Sequence, residues 1–446
     1  MKNLILLLLP VFIGCHSCRH EKDEGKPNFV LIMADDMGYE CLGCNGNTEY
    51  KTPHLDQLAK EGIRFDHCYA QPLCTPSRVK IMTGKYNYRN YEDFGYLNPS
   101  EVTFGNLLKQ AGYATCISGK WQLNGLNRNN NGNQDVNRPM HFGFDEYCLW
   151  QLNRRRDEGE RYADPLITQN GKDLSREIEK YGPRIFTDYI LDFIDRNAEQ
   201  PFFVYYPMVL VHDPFVPTPD SPEWNNSEKR YEKDTAYFAD MMSFTDKLVG
   251  EIESKLKEKG IWENTLLIFT GDNGTHPSIF SNTKSGIVQG AKGQTINTGN
   301  HVPFILSWPE QANNRIIEAV ISFADVLPTL CDAAGISPDL YTADGYSLLP
   351  LINGDKKTIQ DNVFIHYTPR WGNRERFHNR WVLNGTYKLY RDGRFYDTES
   401  DPLELNPLVE LTDKQKQLKK DFERILDEKE QDIPFALNDT IYNVKY

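Results

Sequence analysis

Four stretches of the chain are apolar almost without interruption: Phe29 to Met33, Phe202 to Val211, Thr265 to Thr270 and His301 to Leu306. A shorter one runs from Ala114 to Ser118. Runs that do not alternate predict strands buried on both faces, as in a mainly parallel sheet covered by helices. Between them the apolar positions Tyr237, Met241, Phe244, Leu248, Ile252 and Leu256 recur every three or four residues, which predicts a helix over 234–257 with one buried stripe. Thr52 and Pro53 open another helix by cap and first-turn proline, Leu55, Leu58 and Ala59 line its inner side, and Gly62 closes it. Further helices are expected over 103–112 and 185–196. After Gly335 the texture changes. Short segments at 363–367, 381–383, 387–390 and 395–396 predict antiparallel strands, with Arg391 to Arg394 as a hairpin turn and a helix over 412–430 beside them. The predicted class is α/β, a mixed, mainly parallel sheet sandwiched by helices over 28–345, followed by a smaller α+β subdomain of antiparallel sheet and helix over 346–446.

Charged and polar residues stand at the ends of these runs. Asp35 and Asp36 follow the first, Lys120, Trp121 and Gln122 the segment at 114–118, His212 the one ending at Val211, and Asp272 and Asn273 the one ending at Thr270. Lys292 precedes the last. An open α/β sheet gathers its ligands at the carboxyl ends of its strands, so these groups are candidates for one site. Taken alone, Asp35 and Asp36 also fit a helix cap or an acidic turn. Cys74, Thr75, Pro76, Ser77 and Arg78 form a further candidate. If a helix starts there, Cys74 and Arg78 share a face at its N-terminus, where free N–H groups favour anions. Asp35, Asp36, Asp272 and Asn273 offer only hard oxygen ligands, which suits Ca²⁺ better than Mg²⁺ or zinc. Arg78, Lys120 and Lys292 would spread positive charge over an anionic ester, and His212 could protonate a leaving alcohol.

Composition narrows the partners. The 446 residues carry a formal charge of −13 and no long run of Lys or Arg, which argues against nucleic acid. At the N-terminus, Lys2 precedes an apolar run from Leu4 to Ile13 that is too short to span a bilayer. It reads as an export signal over 1–15, with a charged tether at 16–27. Gly14 and Cys15 resemble a lipobox, which would make Cys15 a lipid anchor; ordinary signal-peptide cleavage is the alternative. Either way the expected location is exported, in the periplasm or at the cell surface. Of nine cysteines, seven remain after Cys15 and Cys74, an odd number that leaves at least one thiol free. Cys41 and Cys44 have no matching downstream pair, so a zinc site is not expected.

The string Cys74-x-Pro76-Ser77-Arg78, with Thr83-Gly84 five residues on, resembles the signature of the formylglycine-dependent sulfatases of the alkaline phosphatase superfamily, including arylsulfatase A-like bacterial glycan sulfatases. The resemblance covers essentially the whole mature chain, with its motifs in the family's order, and it implies an alkaline phosphatase-like fold. It further implies that a maturation enzyme oxidises Cys74 to formylglycine, the nucleophile. Asp35, Asp36, Asp272 and Asn273 would hold calcium together with residue 74, while Arg78, Lys120, His212 and Lys292 would bind sulfate and move protons. The implied substrate is a sulfated carbohydrate. One position departs from the pattern: many members carry histidine where this chain has Gln122, which can hydrogen-bond a hydroxyl but cannot accept its proton. The expected recognition residues are Gln122, Arg154, Arg155, Arg156, His276, His301, Arg370 and Trp371, and Tyr86 to Tyr91 is expected to be a loop near the nucleophile. Two other functions fit the same residues, a phosphodiesterase or phosphonate monoester hydrolase of the superfamily and a non-catalytic glycan-binding lipoprotein.

Overall fold

The computed structural model describes residues 25–435 apart from 126–134, 154–159, 176–178, 312–313 and 372–376. The export signal, Cys15 and Arg154, Arg155 and Arg156 therefore lie outside the described residues. The strands are β1 Asn28–Ala34, β2 Ile63–Tyr69, β3 Ala114–Lys120, β4 Glu146–Trp150, β5 Ile167–Gln169, β6 Lys172–Asp173, β7 Phe202–Pro207, β8 Thr265–Gly271, β9 Phe280–Thr283, β10 Gly286–Gln289, β11 His301–Ser307 and β12 Arg315–Ser322. A second set follows: β13 Val363–Tyr367, β14 Asn379–Leu383, β15 Tyr387–Tyr390 and β16 Phe395–Asp397. The helices are α1 Pro53–Glu61, α2 Cys74–Thr83, α3 Asn87–Asn90, α4 Phe104–Gln110, α5 Arg138–His141, α6 Gly182–Asn197, α7 Tyr237–Glu258, α8 Asn297–Asn300, α9 Val326–Ala333, α10 Leu349–Ile352 and α11 Asp413–Asp432.

One ten-stranded sheet has the order β12-β2-β11-β8-β1-β7-β3-β4-β5-β6. Its centre is parallel, β8, β1, β7, β3 and β4 all running together, and β11 lies antiparallel between β8 and β2. Because successive side chains leave a strand on opposite faces, β1 feeds two cores at once. Val30, Ile32 and Ala34 pack with Leu55 of α1, Phe186 and Ile190 of α6, and Met241 and Leu248 of α7. Phe29, Leu31 and Met33 pack with Val79 and Met82 of α2, Leu107 of α4, and Leu327 and Leu330 of α9. This double burial is what the uninterrupted apolar runs require, each such side chain contributing about 1.5–3 kcal/mol.

The four-stranded antiparallel sheet β13-β14-β15-β16 uses the same alternation. Ile365, Tyr367 and Trp381 face the main body around Tyr69, Leu73 and Cys74. On the other side Phe364, Val382, Leu389 and Phe395 pack on Phe422 and Leu426 of α11. The nucleophile candidate thus sits where the two sheets meet.

Two local expectations are corrected. Tyr86 to Tyr91 is not a loop: it contains the short helix α3, and Tyr88 and Tyr91 are buried. The Tyr88 hydroxyl donates to Asp432 and the Tyr91 hydroxyl to the Pro369 carbonyl, so each ring is buried while its polar tip stays satisfied. The strand expected to run to Val211 stops at Pro207, and His212 is carried by the turn that follows.

Gly119 shows how tightly the active edge is built. Its φ is +124°, and a Cβ there would lie 2.1 Å from the Pro207 carbonyl oxygen on the neighbouring β7. Gly119→Ala should lower stability by about 1–3 kcal/mol from backbone strain alone, with more from the clash. Urea unfolding measures the loss, and activity should fall alongside because Lys120 is the next residue.

Candidate active site

β1 and β8 pair in parallel with Ala34 opposite Gly271, which brings Asp35 and Asp272 out of adjacent strand ends. The Asp272 N–H donates to the Ala34 carbonyl, and the Asp36 N–H donates to Asp272 Oδ1 at 3.0 Å. Asp36 adopts φ +61°, a left-handed turn that points the two successive carboxylates into the same space. All three carboxylates and Asn273 are fully buried.

Cations arrive from three other elements. Arg78, one turn into α2, donates through Nη2 to Asp272 Oδ2 at 2.9 Å and through Nη1 to the Lys120 carbonyl at 3.0 Å. Lys120, at the end of β3, holds both oxygens of Asp35 at 2.7 and 3.0 Å. Lys292, after the β9–β10 hairpin, donates to Asp36 Oδ2 at 2.6 Å and lies 2.8 Å from His212 Nε2. The other imidazole nitrogen, Nδ1, is 2.9 Å from Asp213 Oδ1, so it carries the proton and Nε2 accepts from Lys292. Cys74 is the first residue of α2, whose N-cap Leu73 offers no side-chain acceptor, and one ligand atom each of Cys74, Asp35 and Asp272 falls within 4.8 Å of the others. The structure therefore brings together Asp35, Asp36, Cys74, Arg78, Lys120, His212, Asp272, Asn273 and Lys292.

The electrostatics follow from burial set against this ring of charge. Burial pushes the Asp35 carboxyl up, but Lys120, His212, Arg78 and Lys292 together hold it well below the usual carboxylate range. Asp36 is likewise held low against its burial, mainly by His212 and Lys292. Asp272 goes the other way: burial, with Asp35 alongside, pushes it up to about 7 despite Arg78. Burial lowers His212 to about 4 against the pull of Asp36, leaving a neutral imidazole at neutral pH. A carboxyl raised this far beside other carboxylates fits a bound hard cation, which would stabilise its ionised form. The Asn273 Oδ1 is buried without a hydrogen-bond partner among the described residues, a carbonyl-type oxygen suited to ligate such an ion.

The other recognition candidates separate. Trp371 is 43% exposed and stacks at 5.1 Å on Phe94, which shares a cluster with Cys74, and Arg370 lies over the Tyr91 ring; both follow β13 of the second sheet. His276 is half-buried and pairs with Ser278. The Gln122 Oε1 is buried and has no hydrogen-bond partner among the described residues. His301 is taken up by packing: its ring stacks on Tyr39 at 4.2 Å and Tyr69 at 5.1 Å, and Nε2 donates to the Asp66 carbonyl. Sequence reasoning missed Arg161, which is 2% exposed and brings Nη1 to 3.8 Å from Asp35 Oδ2. No strand end or motif marks it, so the chain gave no signal.

A family model for sulfatases matches residues 27–336, and a model for the C-terminal part of N-sulphoglucosamine sulphohydrolase matches residues 293–432. The chain belongs to the sulfatase family. Human arylsulfatase A is 30% identical over 370 residues, covering 76% of this chain and 70% of that protein. Among solved structures, BT4656 in complex with its substrate D-glucosamine-2-N,6-O-disulfate aligns with TM-score 0.72 at 22% identity, over 93% of this sulfatase and 99% of that chain. The phosphonate monoester hydrolase of Agrobacterium radiobacter aligns with TM-score 0.65 at 20% identity, over 91% and 96%, a likeness of fold alone. This sulfatase is an enzyme that hydrolyses sulfate esters, so the binding-protein alternative is not carried forward.

His301 yields a test of the packing role. Burial depresses its pKa to about 3, so the unfolded chain binds its proton first, near pH 6.5, and stability attributable to it falls as pH drops from there toward 3. Unfolding curves of His301→Gln should lose less stability than the wild type across that window, with KM for a sulfated substrate unchanged.

Proposed function

We propose that this sulfatase removes O-sulfate from a glycan outside the cytoplasm, using formylglycine at position 74 and a calcium ion. The observation that carries the reading is the placement of Cys74 at the start of α2, against the Asp35 and Asp272 carboxylates and inside a ring of buried cations. Asp35, Asp36, Asp272 and Asn273 would hold the ion, with residue 74 beside them. A divalent ion supplies Lewis-acid polarisation of the ester oxygen and favours ionisation of a neighbouring hydroxyl. Formylglycine at position 74 would supply a hydrated aldehyde, whose hydroxyls would provide the nucleophile.

The remaining work belongs to the chain's own side chains. Lys120 and Lys292 hold negative charge on the sulfate oxygens, and Arg78 fixes Asp272 while its other arm anchors the Lys120 backbone. The leaving alkoxide takes its proton from the Lys292–His212 pair, in which Asp213 keeps the imidazole in one tautomer. Gln122 would hydrogen-bond a hydroxyl of formylglycine at position 74 without serving as a base. Arg370 and Trp371 would meet the sugar, the indole face stacking on a ring, with His276 and the segment holding Arg154, Arg155 and Arg156 as further contacts. Export and a lipid anchor at Cys15 fit an enzyme that meets a polysaccharide outside the cell.

Chelation with EGTA should abolish hydrolysis of sulfated monosaccharides and lower the melting temperature, and Ca²⁺ should restore both better than Mg²⁺ does. Lys292→Met should cut kcat by about 10²–10³. Equal activity with and without chelator would remove calcium from the account. Faster turnover of matched phosphonate or phosphodiester substrates would replace the sulfatase chemistry with that of the phosphoesterase alternative.

A further inference from the structure

Arg161 and Trp150 form a stacked pair at the edge of the acidic cluster that the chemistry above leaves unused. Trp150 ends β4 and sits opposite Lys120 in the β3–β4 register, so its indole is placed beside the lysine that grips Asp35. The Arg161 guanidinium lies over that indole, 4.3 Å from the ring centroid, and both side chains are at least 98% buried. Arg161 Nη1 reaches 3.8 Å from Asp35 Oδ2, too far for a hydrogen bond, and Nη1 and the Trp150 Nε1 have no hydrogen-bond partner among the described residues. Both groups can only donate. Two buried donors left open, one of them on a permanent cation, are costly unless an acceptor completes them. Asp35 does not serve, because Lys120 already takes both its oxygens at close range.

We infer that Arg161 Nη1–H and the Trp150 indole N–H donate to oxygens of the sulfate group, completing with Lys120 and Lys292 the oxyanion site of this enzyme. The guanidinium suits a tetrahedral oxyanion because its charge never titrates away and its donors are fixed in a plane. Stacking on the indole fixes that plane. The inference rests on the sulfatase activity and requires neither turnover nor a modified residue 74.

Calcium-saturated protein is titrated with sodium sulfate, against sodium chloride at equal ionic strength, and the rise in melting temperature gives an apparent Kd for sulfate. Arg161→Met should weaken sulfate binding by about tenfold to a hundredfold, the usual effect of losing a charged hydrogen bond. Arg161→Lys should recover part of it. Trp150→Phe, which keeps the stacking ring and removes only the N–H, should weaken it by a few-fold. A purely structural Arg161 would lower the melting temperature without sulfate yet leave the dependence on sulfate as in the wild type. That outcome, or a wild type indifferent to sulfate, overturns the inference. Should Arg161→Met fail to fold, Trp150→Phe and Arg161→Lys decide by the same titration. Calcium-dependent turnover of sulfated sugars by the wild type in the same buffer reports separately on the proposed function.

Discussion

Everything at the active edge answers to one constraint, the burial of Asp35, Asp36 and Asp272 within a few ångströms of one another. Each would cost several kcal/mol in isolation, and their mutual repulsion adds to it. The fold meets this by aiming buried cations from separate elements at them, Arg78 from α2, Lys120 from β3, Lys292 from beyond the β9–β10 hairpin and Arg161 from the segment after β4. In the proposed mechanism the cations that make the carboxylates tolerable are also the ones that bind the sulfate ester. Stability and the proposed substrate binding therefore draw on one charge arrangement, and the raised Asp272 and the Asn273 oxygen, which has no partner among the described residues, lie where the proposed ion would sit.

The scaffold explains why these groups meet. Parallel pairing of β1 with β8 fixes Asp35 beside Asp272 to within one residue of register, because both strands are locked by side chains on two faces. Gly119 lets β3 approach β7 closely enough to deliver Lys120. The second sheet closes the far side, packing Tyr367 and Trp381 near Cys74 and presenting Trp371 on an aromatic neighbour. The nucleophile candidate at a helix start, a cation ring and an aromatic rim thus come from widely separated parts of the chain.

Much of this was legible because the signals are local. Uninterrupted apolar runs state double burial, and a charge at the end of such a run has nowhere to go but the sheet's edge, which is why Asp35, Lys120 and Asp272 could be singled out. What failed to show is tertiary. Tyr88 and Tyr91 look too polar for a core until Asp432 and the Pro369 carbonyl, hundreds of residues away in sequence, accept their hydroxyl protons. His301 stands at a strand start and reads as available, yet Tyr39 and Tyr69 enclose its ring. Arg161 stands at no strand end and in no motif, and its guanidinium meets Trp150 only in the folded chain. His212 was expected at a strand end and is instead carried by a turn, which changes its support but not its neighbours.

The central claim is that residue 74 acts as formylglycine, and its mass tests that most directly. Protein made in its own host, digested with trypsin, yields the peptide from Phe65 to Arg78 that contains Cys74. The account predicts the mass of formylglycine in place of cysteine at that position in active enzyme. An intact Cys74 thiol in protein that is fully active would contradict it.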